Sequence, residues 1–362
     1  MFYYVRHCQL DYRTVLTIAK YNYIIFMLQI ISESRGKIMD TLKLAKEIIS
    51  GRRITKNDDF LSEFIDTDLE NLKKGADMIR AALVGEKVDL CTIINGRSGR
   101  CSENCKFCAQ SAHYHTSCEI YDLLDEDTIV NQAKANEAEG VDRFAIVCSG
   151  HHPSEADFER IIHAFERMNK ECKLELCTSL GFLTSEQFKR LKNAGVTSIH
   201  NNIETSRRFF PHICSTHTFD EKIENIKRAQ AEGLYVCSGG IIGMGETWED
   251  RIDMALTLSE LNISSIPINS LMPIPGTPLY EKERLTEADI IRTIAIFRYI
   301  NPTSGIRLAG GRALMKNDGE ETFTSGASAS ITGNMLTTSG STIKSDKEML
   351  TRLGRDITPV WK

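Results

Sequence analysis

The stretch from Arg143 to Ile203, RFAIVCSGHHPSEADFERIIHAFERMNKECKLELCTSLGFLTSEQFKRLKNAGVTSIHNNI, decides the fold. Three short apolar runs, Arg143–Cys148, Leu174–Ser179 and Ser198–Ile203, alternate with two longer segments, Asp157–Met168 and Ser185–Ala194. In the longer segments the apolar residues return every three or four positions, the period of a helix with one buried face; the short runs have the length of strands. Strands that alternate with helices imply a parallel sheet, because each return to the same edge needs a crossover. Outward from this stretch the rhythm continues. Strands are expected at Asp89–Ile94, Tyr235–Ile242, Ser265–Leu271, Gly305–Ala309 and Ala327–Ile331, and helices at Glu126–Glu139, Phe219–Ala231, Thr247–Glu260 and Glu287–Ile300. Eight strand–helix units predict an α/β fold, a closed (β/α)8 barrel of TIM type; an open doubly wound sheet is the alternative. Thr41 to Leu83 carries Leu42, Leu44, Ile48, Leu61, Ile65, Leu69, Leu72 and Ile79 at helical spacing, which adds an N-terminal helical extension. The predicted division is a poorly packed extension over 1–38, N-terminal helices over 39–88, the barrel with a C-terminal cap over 89–353, and a tail over 354–362.

Composition narrows the function. A net charge of −5 with no block of like charge gives no nucleic-acid groove, so no nucleic-acid partner is expected. The apolar run Tyr21–Ile31 is about a dozen residues long, against the ~20 needed to span a bilayer, so no membrane partner is expected. It lacks a small-residue cleavage site, and Arg6, Asp11, Arg13 and Lys20 scatter both signs of charge before it, which speaks against a signal peptide. Eleven cysteines, an odd number with three crowded into eight residues, suit metal ligation better than a disulfide framework. Ligating thiols must stay reduced, which places the chain in the cytoplasm.

Cys101-Ser-Glu-Asn-Cys105-Lys-Phe-Cys108 is the strongest chemical signal, and it follows a strand and the loop Asn95–Arg100. Thiolates are the preferred ligands of iron–sulfur clusters, and three of them leave one iron of a [4Fe–4S] cubane open to chelation. A zinc knuckle is the alternative, but such sites usually add a second C-x2-C or a C…H pair at matched spacing, and none follows at once.

The C-x3-C-x2-C motif, with Phe107 before its last cysteine, resembles the radical S-adenosylmethionine (AdoMet) superfamily. The longer string CSENCKFCAQS resembles the biotin synthase family within it. The likeness continues through Leu176–Gly181, Asn201–Ser206, Val236–Thr247, Pro267–Asn269, Gly276–Leu279 and Pro302–Ser304, roughly from Leu42 to Leu353. It implies a [4Fe–4S] cluster on Cys101, Cys105 and Cys108 that binds AdoMet. It also implies sulfur insertion at C6 and C9 of dethiobiotin by way of two deoxyadenosyl radicals. The run G-x-I-x-G-x-x-E, here Gly239, Ile241, Gly243 and Glu246, is implied to lie against adenine. Asn202 and Glu204, on one strand face by period two, would hold the ribose, Glu204 standing where the family has Asp. Lys222 would sit near the AdoMet carboxylate. Asn202, Asn269 and His200 would face the cyclic urea, and Thr337 and Thr338 the substrate's tail carboxylate. His200 stands where the family commonly has Asn. A flavodoxin- or ferredoxin-type electron donor and a homodimer belong to the same expectation. No side chain is expected to act as an acid–base catalyst, because the cofactors carry the chemistry and the protein positions and excludes water.

The family also implies an auxiliary iron–sulfur cluster, deep in the barrel, as sulfur donor. Cys177, Cys237 and Arg307 match three of its ligands; at the fourth position this chain has Ala145. Cys148 is three residues on, on the opposite strand face by parity. Cys91 lies on the neighbouring first strand with residues 93 and 95 on its face. The expected set is therefore Cys91, Cys177 and Cys237 with Arg307 nearby, the cluster type left open. Cys8, Cys118, Cys172 and Cys214 are read as structural or incidental. Two rivals remain: another barrel-type radical AdoMet enzyme, and a non-catalytic iron–sulfur or zinc protein.

Overall fold

A computed structural model describes residues 39–333 and 341–361. The reading of 1–38 as a poorly packed extension and the assignment of Thr337 and Thr338 lie outside the described residues. Nine parallel strands form one sheet: β1 (Asp89–Arg97), β2 (Arg143–Cys148), β3 (Glu175–Ser179), β4 (Val196–His200), β5 (Tyr235–Cys237), β6 (Gly240–Ile242), β7 (Ser265–Ser270), β8 (Gly305–Leu308) and β9 (Ala329–Ile331). Their order is β5-β4-β3-β2-β1-β9-β8-β7-β6, and β5 also pairs with β7, which closes the sheet on itself. β5 and β6 are the two halves of one barrel position, so the barrel has eight staves and no free edge.

The strands are buried on both faces, as a barrel surrounded by helices requires. On β2, Phe144, Ala145 and Ile146 are all fully buried. Helices α1 (Thr41–Ile49), α2 (Glu63–Asp66) and α3 (Leu69–Leu83) precede the barrel. The barrel helices are α4 (Glu126–Ala138), α5 (Glu155–Glu171), α6 (Ser185–Asn193), α7 (Phe219–Ala231), α8 (Trp248–Glu260) and α9 (Glu287–Ile300), and α10 (Ile343–Arg352) follows the last strand. Each barrel helix starts on a capping side chain. Thr184, Thr218, Thr247 and Thr286 close full capping boxes, while Asp125 and Ser154 accept from one backbone N–H. Such caps satisfy the orphan donors of a first turn and fix where each strand-to-helix loop ends. None of the described helices is long and apolar enough to cross a membrane.

Two expected strands are corrected. Ser198–Ile203 ends at His200, and Tyr235–Ile242 breaks at Ser238–Gly239. The two departures have one cause. Glu204 turns into the left-handed region, at φ 68°, and its backbone bridges to β6: its N–H donates to Gly239 O and its carbonyl accepts from Ile241 N–H. A Cβ on Gly239 would lie 2.0 Å from Pro267 O, and one on Gly240 2.2 Å from Glu204 O. Only glycine lets three backbones come this close. Gly239→Ala should therefore cost about 1–3 kcal/mol of stability, the usual penalty of overpacking. Urea denaturation measures it, and an unchanged midpoint would mean that the seam has room for a methyl group.

Candidate active site

The loop that follows β1 carries three free thiols, Cys101, Cys105 and Cys108, above the C-terminal ends of the strands, where barrels of this kind keep their chemistry. The loop is held by its backbone rather than by its sulfurs. Cys101 N–H donates to Gln110 O at 3.0 Å, Lys106 N–H to Ile213 O at 2.9 Å, and Asn104 N–H to Thr216 Oγ1 at 3.1 Å. Asn104 Oδ1 in turn accepts from Ser215 N–H at 2.9 Å. Burial pushes the Cys108 thiol up to about 11. Cys105 donates its S–H to Cys214, Sγ to Sγ 3.8 Å; this pulls Cys214 well below the ordinary thiol range and pushes Cys105 far above it.

Below the loop, a cavity of about 370 Å³ descends into the barrel. Phe107 and Cys108 stand on its wall with Asn202, Glu204, Lys222 and Ile241. Asn202 and Glu204 both reach it, though not by strand parity, since β4 has ended and Glu204 is in a left-handed turn. Asn202 Oδ1 accepts from Gly239 N–H at 3.1 Å. Burial raises the Glu204 carboxyl, and Lys222 opposes the rise. Glu204 Oε2 and Asn201 Nδ2 are buried without a hydrogen-bond partner. Two orphaned polar atoms beside three free thiols fit a hydroxylated, amine- and carboxylate-bearing ligand such as AdoMet, whose ribose hydroxyls would satisfy them. Lys222 Nζ lies 5.4 Å over the Phe182 ring and 3.5 Å from Asn201 Oδ1.

The G-x-I-x-G-x-x-E run divides by role. Ile241 faces the cavity. Glu246 does not, because its carboxylate accepts from the N–H groups of Gly243, Met244 and Gly245 and from Arg251 Nε at 2.8 Å. Glu246 thus shapes the loop, with Gly243 and Gly245 in the left-handed region. Asn269 is likewise committed. It lines the cavity, but Oδ1 accepts from Gly310 N–H at 2.9 Å and Nδ2 donates to Gly240 O at 3.2 Å, which leaves one amide hydrogen for a substrate.

Deeper, Cys91 and Cys177 pack with Ala145 in one buried group, against Ile93 and Val147. Cys237 is 4% exposed and 3.2 Å from Ser265 Oγ. Burial raises all three thiols, Cys177 to about 12. Burial works to lower the Arg307 guanidinium, but Asp89 above all, with Cys91 and Cys237, leaves it raised. Its Nη atoms donate to Asp89 Oδ1, Asp89 O and Ser330 O, and its Nε to Ser265 Oγ. Arg143, read from the sequence only as the start of a strand, donates to the other Asp89 oxygen at 2.7 Å. Burial works to raise the Asp89 carboxyl, but Arg307 and Arg143 hold it at about 2. Arg143 also pairs with Glu175, so two guanidiniums meet two carboxylates beneath the three thiols, and Arg307 is the one of the two paired with Asp89 alone. Cys148 is elsewhere: a Cβ on Gly96 would touch its Sγ at 3.3 Å and Ile146 Cγ2 at 2.9 Å, and Arg97 and Asp157 are its charged neighbours. His200 lines the cavity where it meets Cys237, its backbone partner across β4 and β5. Burial, with Arg307 and Arg143, pushes the imidazole down to about 3, so it is neutral.

Comparison with known proteins bears on this geometry at three levels. Residues 97–258 match the radical SAM superfamily, and residues 267–356 the biotin and thiamin synthesis associated domain. Among solved structures, methylornithine synthase (PylB) superposes with a TM-score of 0.76 at 20% identity, covering 88% of this chain and 97% of its own. The hydrogenase maturase HydG superposes with a TM-score of 0.76 at 17% identity, covering 89% and 76%. These likenesses show the closed (β/α)8 barrel. Whole-chain identity is far higher to proteins of one kind. The chain is 58% identical to the biotin synthase of Clostridium beijerinckii and 55% to that of Alkaliphilus metalliredigens, each over 87% of this chain and 99% of the relative. It is 51% identical to that of Brachyspira hyodysenteriae, over 87% and 94%. Identity at this level over most of both chains sets aside both rival readings, and the chain belongs to the biotin synthase family of radical AdoMet enzymes.

Proposed function

We propose that Cys101, Cys105 and Cys108 hold the AdoMet-binding [4Fe–4S] cluster that family membership implies, and that Cys91, Cys177 and Cys237 hold an auxiliary iron–sulfur cluster above Arg307. The substrate would be dethiobiotin, consistent with membership of a sulfurtransferase family. The observation that carries this reading is the vertical order of the barrel: free thiols at the rim, a cavity with two orphaned polar atoms, and three buried thiols near the Arg307–Asp89 pair. The bound groups would supply a 5′-deoxyadenosyl radical from above and sulfur from below. The chain's residues place and shield. Glu204 and Asn202 are positioned to accept and donate to ribose hydroxyls, and Lys222 to meet a carboxylate. Asn269 has one amide hydrogen to offer a ureido carbonyl. His200, neutral, adds no charge to a low-dielectric pocket. Exclusion of water matters because a radical held among fixed neighbours reacts with the atom placed next to it. Arg307 is committed to Asp89, so we read it as the neighbour that balances the charge of the lower cluster, with the three thiolates as the bonds that hold it. An electron donor of flavodoxin or ferredoxin type, a reducing compartment for ten free described cysteines, and a homodimer complete the reading.

Anaerobic incubation with dethiobiotin, AdoMet and reductant should form biotin with about two deoxyadenosines per product, one for each C–H bond broken, because the radical is a stoichiometric reagent. Deoxyadenosine without biotin or a thiol intermediate would refute the substrate assignment and leave the rim chemistry standing.

A further inference from the structure

Cys214 has no part in the reading above, yet it is placed to bind metal. It lies on the loop after the short helical turn Phe210–His212, and it is 5% exposed. Its Sγ is 3.8 Å from Cys105 Sγ, 3.4 Å from His217 Nδ1 and 3.8 Å from His217 Nε2. Among the described residues, Cys105, Cys214 and His217 are the one group of three or more His, Cys, Asp or Glu donors that all lie within 4.8 Å of one another. Neither Cys101 nor Cys108 belongs to it. The two spacings from Cys214 are close to those of a tetrahedral ion. With Zn–S bonds of about 2.3 Å and Zn–N of about 2.0–2.1 Å, ligand atoms stand roughly 3.8 Å (S to S) and 3.6 Å (S to N) apart.

The surroundings complete the pattern. Glu103 Oε2 accepts from His217 Nδ1 at 2.5 Å, which leaves Nε2 for a metal. Thr216 Oγ1 donates to the same carboxylate oxygen at 2.7 Å, and His151 Nδ1 meets its other oxygen at 3.2 Å. A carboxylate behind a histidine fixes the tautomer and ring orientation of a metal-bound imidazole. Asn104 and Ser215 bind the two loops together next to the thiols, so Cys105 and Cys214 are held near each other by more than their own contact.

We propose that before its cluster is in place the protein binds one borderline-soft divalent cation of the zinc class at Cys105, Cys214 and His217, and that this ion blocks cluster assembly by occupying Cys105. Water would fill the fourth position. The two thiols lose their protons as the metal–sulfur bonds form, and no redox change occurs. Only the blocking step rests on the reading of Cys105 as a cluster ligand; the metal site itself does not.

The test uses the full-length apo-protein, prepared anaerobically and reduced, with Co2+ as a spectroscopic probe and Zn2+ as competitor. Wild type should take up one Co2+ with thiolate-to-metal charge transfer and the intense visible bands of a tetrahedral site, and Zn2+ should bleach them. Glu103→Gln should weaken binding by about 10–100-fold, as loss of an outer-shell partner does. Cys214→Ala and His217→Gln should weaken it more than that, with circular dichroism showing each variant folded, and Cys101→Ser should bind as wild type does. If Cys101→Ser loses the bands while Cys214→Ala keeps them, the ion sits on the three-cysteine motif and the site proposed here does not exist. Zinc-loaded wild type should then take up iron and sulfide several-fold more slowly than apo-protein, and Cys214→Ala should show no such delay. Equal delay in both would overturn the blocking step. A Cys105→Ser protein that still assembles a complete rim cluster would instead refute the cluster assignment and leave the cobalt result intact.

Discussion

Replacing any one of Cys101, Cys105 or Cys108 by alanine should leave dithionite-reduced protein unable to form 5′-deoxyadenosine above the enzyme-free background. Each thiolate is one of three that anchor a cubane to the chain, and the fourth iron needs its remaining valence for AdoMet. The loss should be chemical and not structural. The loop is held by Lys106 N–H on Ile213 O, Asn104 N–H on Thr216 Oγ1 and Cys101 N–H on Gln110 O, all backbone donors that an alanine leaves in place. Apo-protein melting and far-ultraviolet circular dichroism should therefore match the parent. Iron in reconstituted samples should fall by the content of one [4Fe–4S] cluster while iron on the deep thiols stays. A variant that keeps the parent rate of AdoMet cleavage would sink the assignment outright.

The barrel was legible in the sequence because its signals are local and repeated. Eight apolar runs and the helices between them need only periodicity to be seen, and their ends fall within a few residues of the observed ones. The two misread strands meet at Glu204, where a left-handed residue and two glycines redirect the chain. That turn depends on the backbone of β7 coming within 2.0 Å of where a Cβ would be, a contact between segments far apart in sequence. Parity therefore failed at Asn202 and Glu204 although both reach the cavity.

The site was legible where a motif names its ligands and obscure where a side chain's role depends on who else claims it. Glu246 reads as a cofactor contact until the three N–H groups it accepts from are seen. Asn269 reads as a substrate amide until Gly310 and Gly240 are found to engage it. Arg143 went unnoticed as a site residue, though its even offset from Ala145 puts it on the same inward face; that parity was the available signal. Cys214 has His217 three residues on as a local signal, but its other partner, Cys105, is more than a hundred residues away, so the pair alone named no site.

Cys91→Ser should lose auxiliary-cluster iron and biotin formation while the rim cluster and uncoupled AdoMet cleavage persist. The inward position on β2 is Ala145, which offers no ligand, so a cluster on Cys177 and Cys237 alone would need water or added sulfide and would be labile. Across the β1–β2 ladder Ile93 faces Ala145 and Cys91 faces Arg143, and Cys91 packs with Ala145 and Cys177 in one buried group. Serine there is nearly isosteric but supplies a hydroxyl, a hard ligand that iron–sulfur clusters take poorly in place of a soft thiolate. Biotin yield should fall by at least about tenfold, in line with what loss of even an outer-shell metal partner costs. Cys148→Ser supplies the contrast. Its Sγ lies toward Gly96 and Ile146 on the outward face, with Arg97 and Asp157 for neighbours, and no deep thiol is among them. That variant should keep both iron contents and most of the biotin yield. The two proteins are compared after identical anaerobic reconstitution, by iron counting, Mössbauer spectroscopy and product yield. An inactive Cys148→Ser beside a fully active Cys91→Ser would mean that the loaded protein turns the end of β2 inward, and the ligand set proposed here would be wrong.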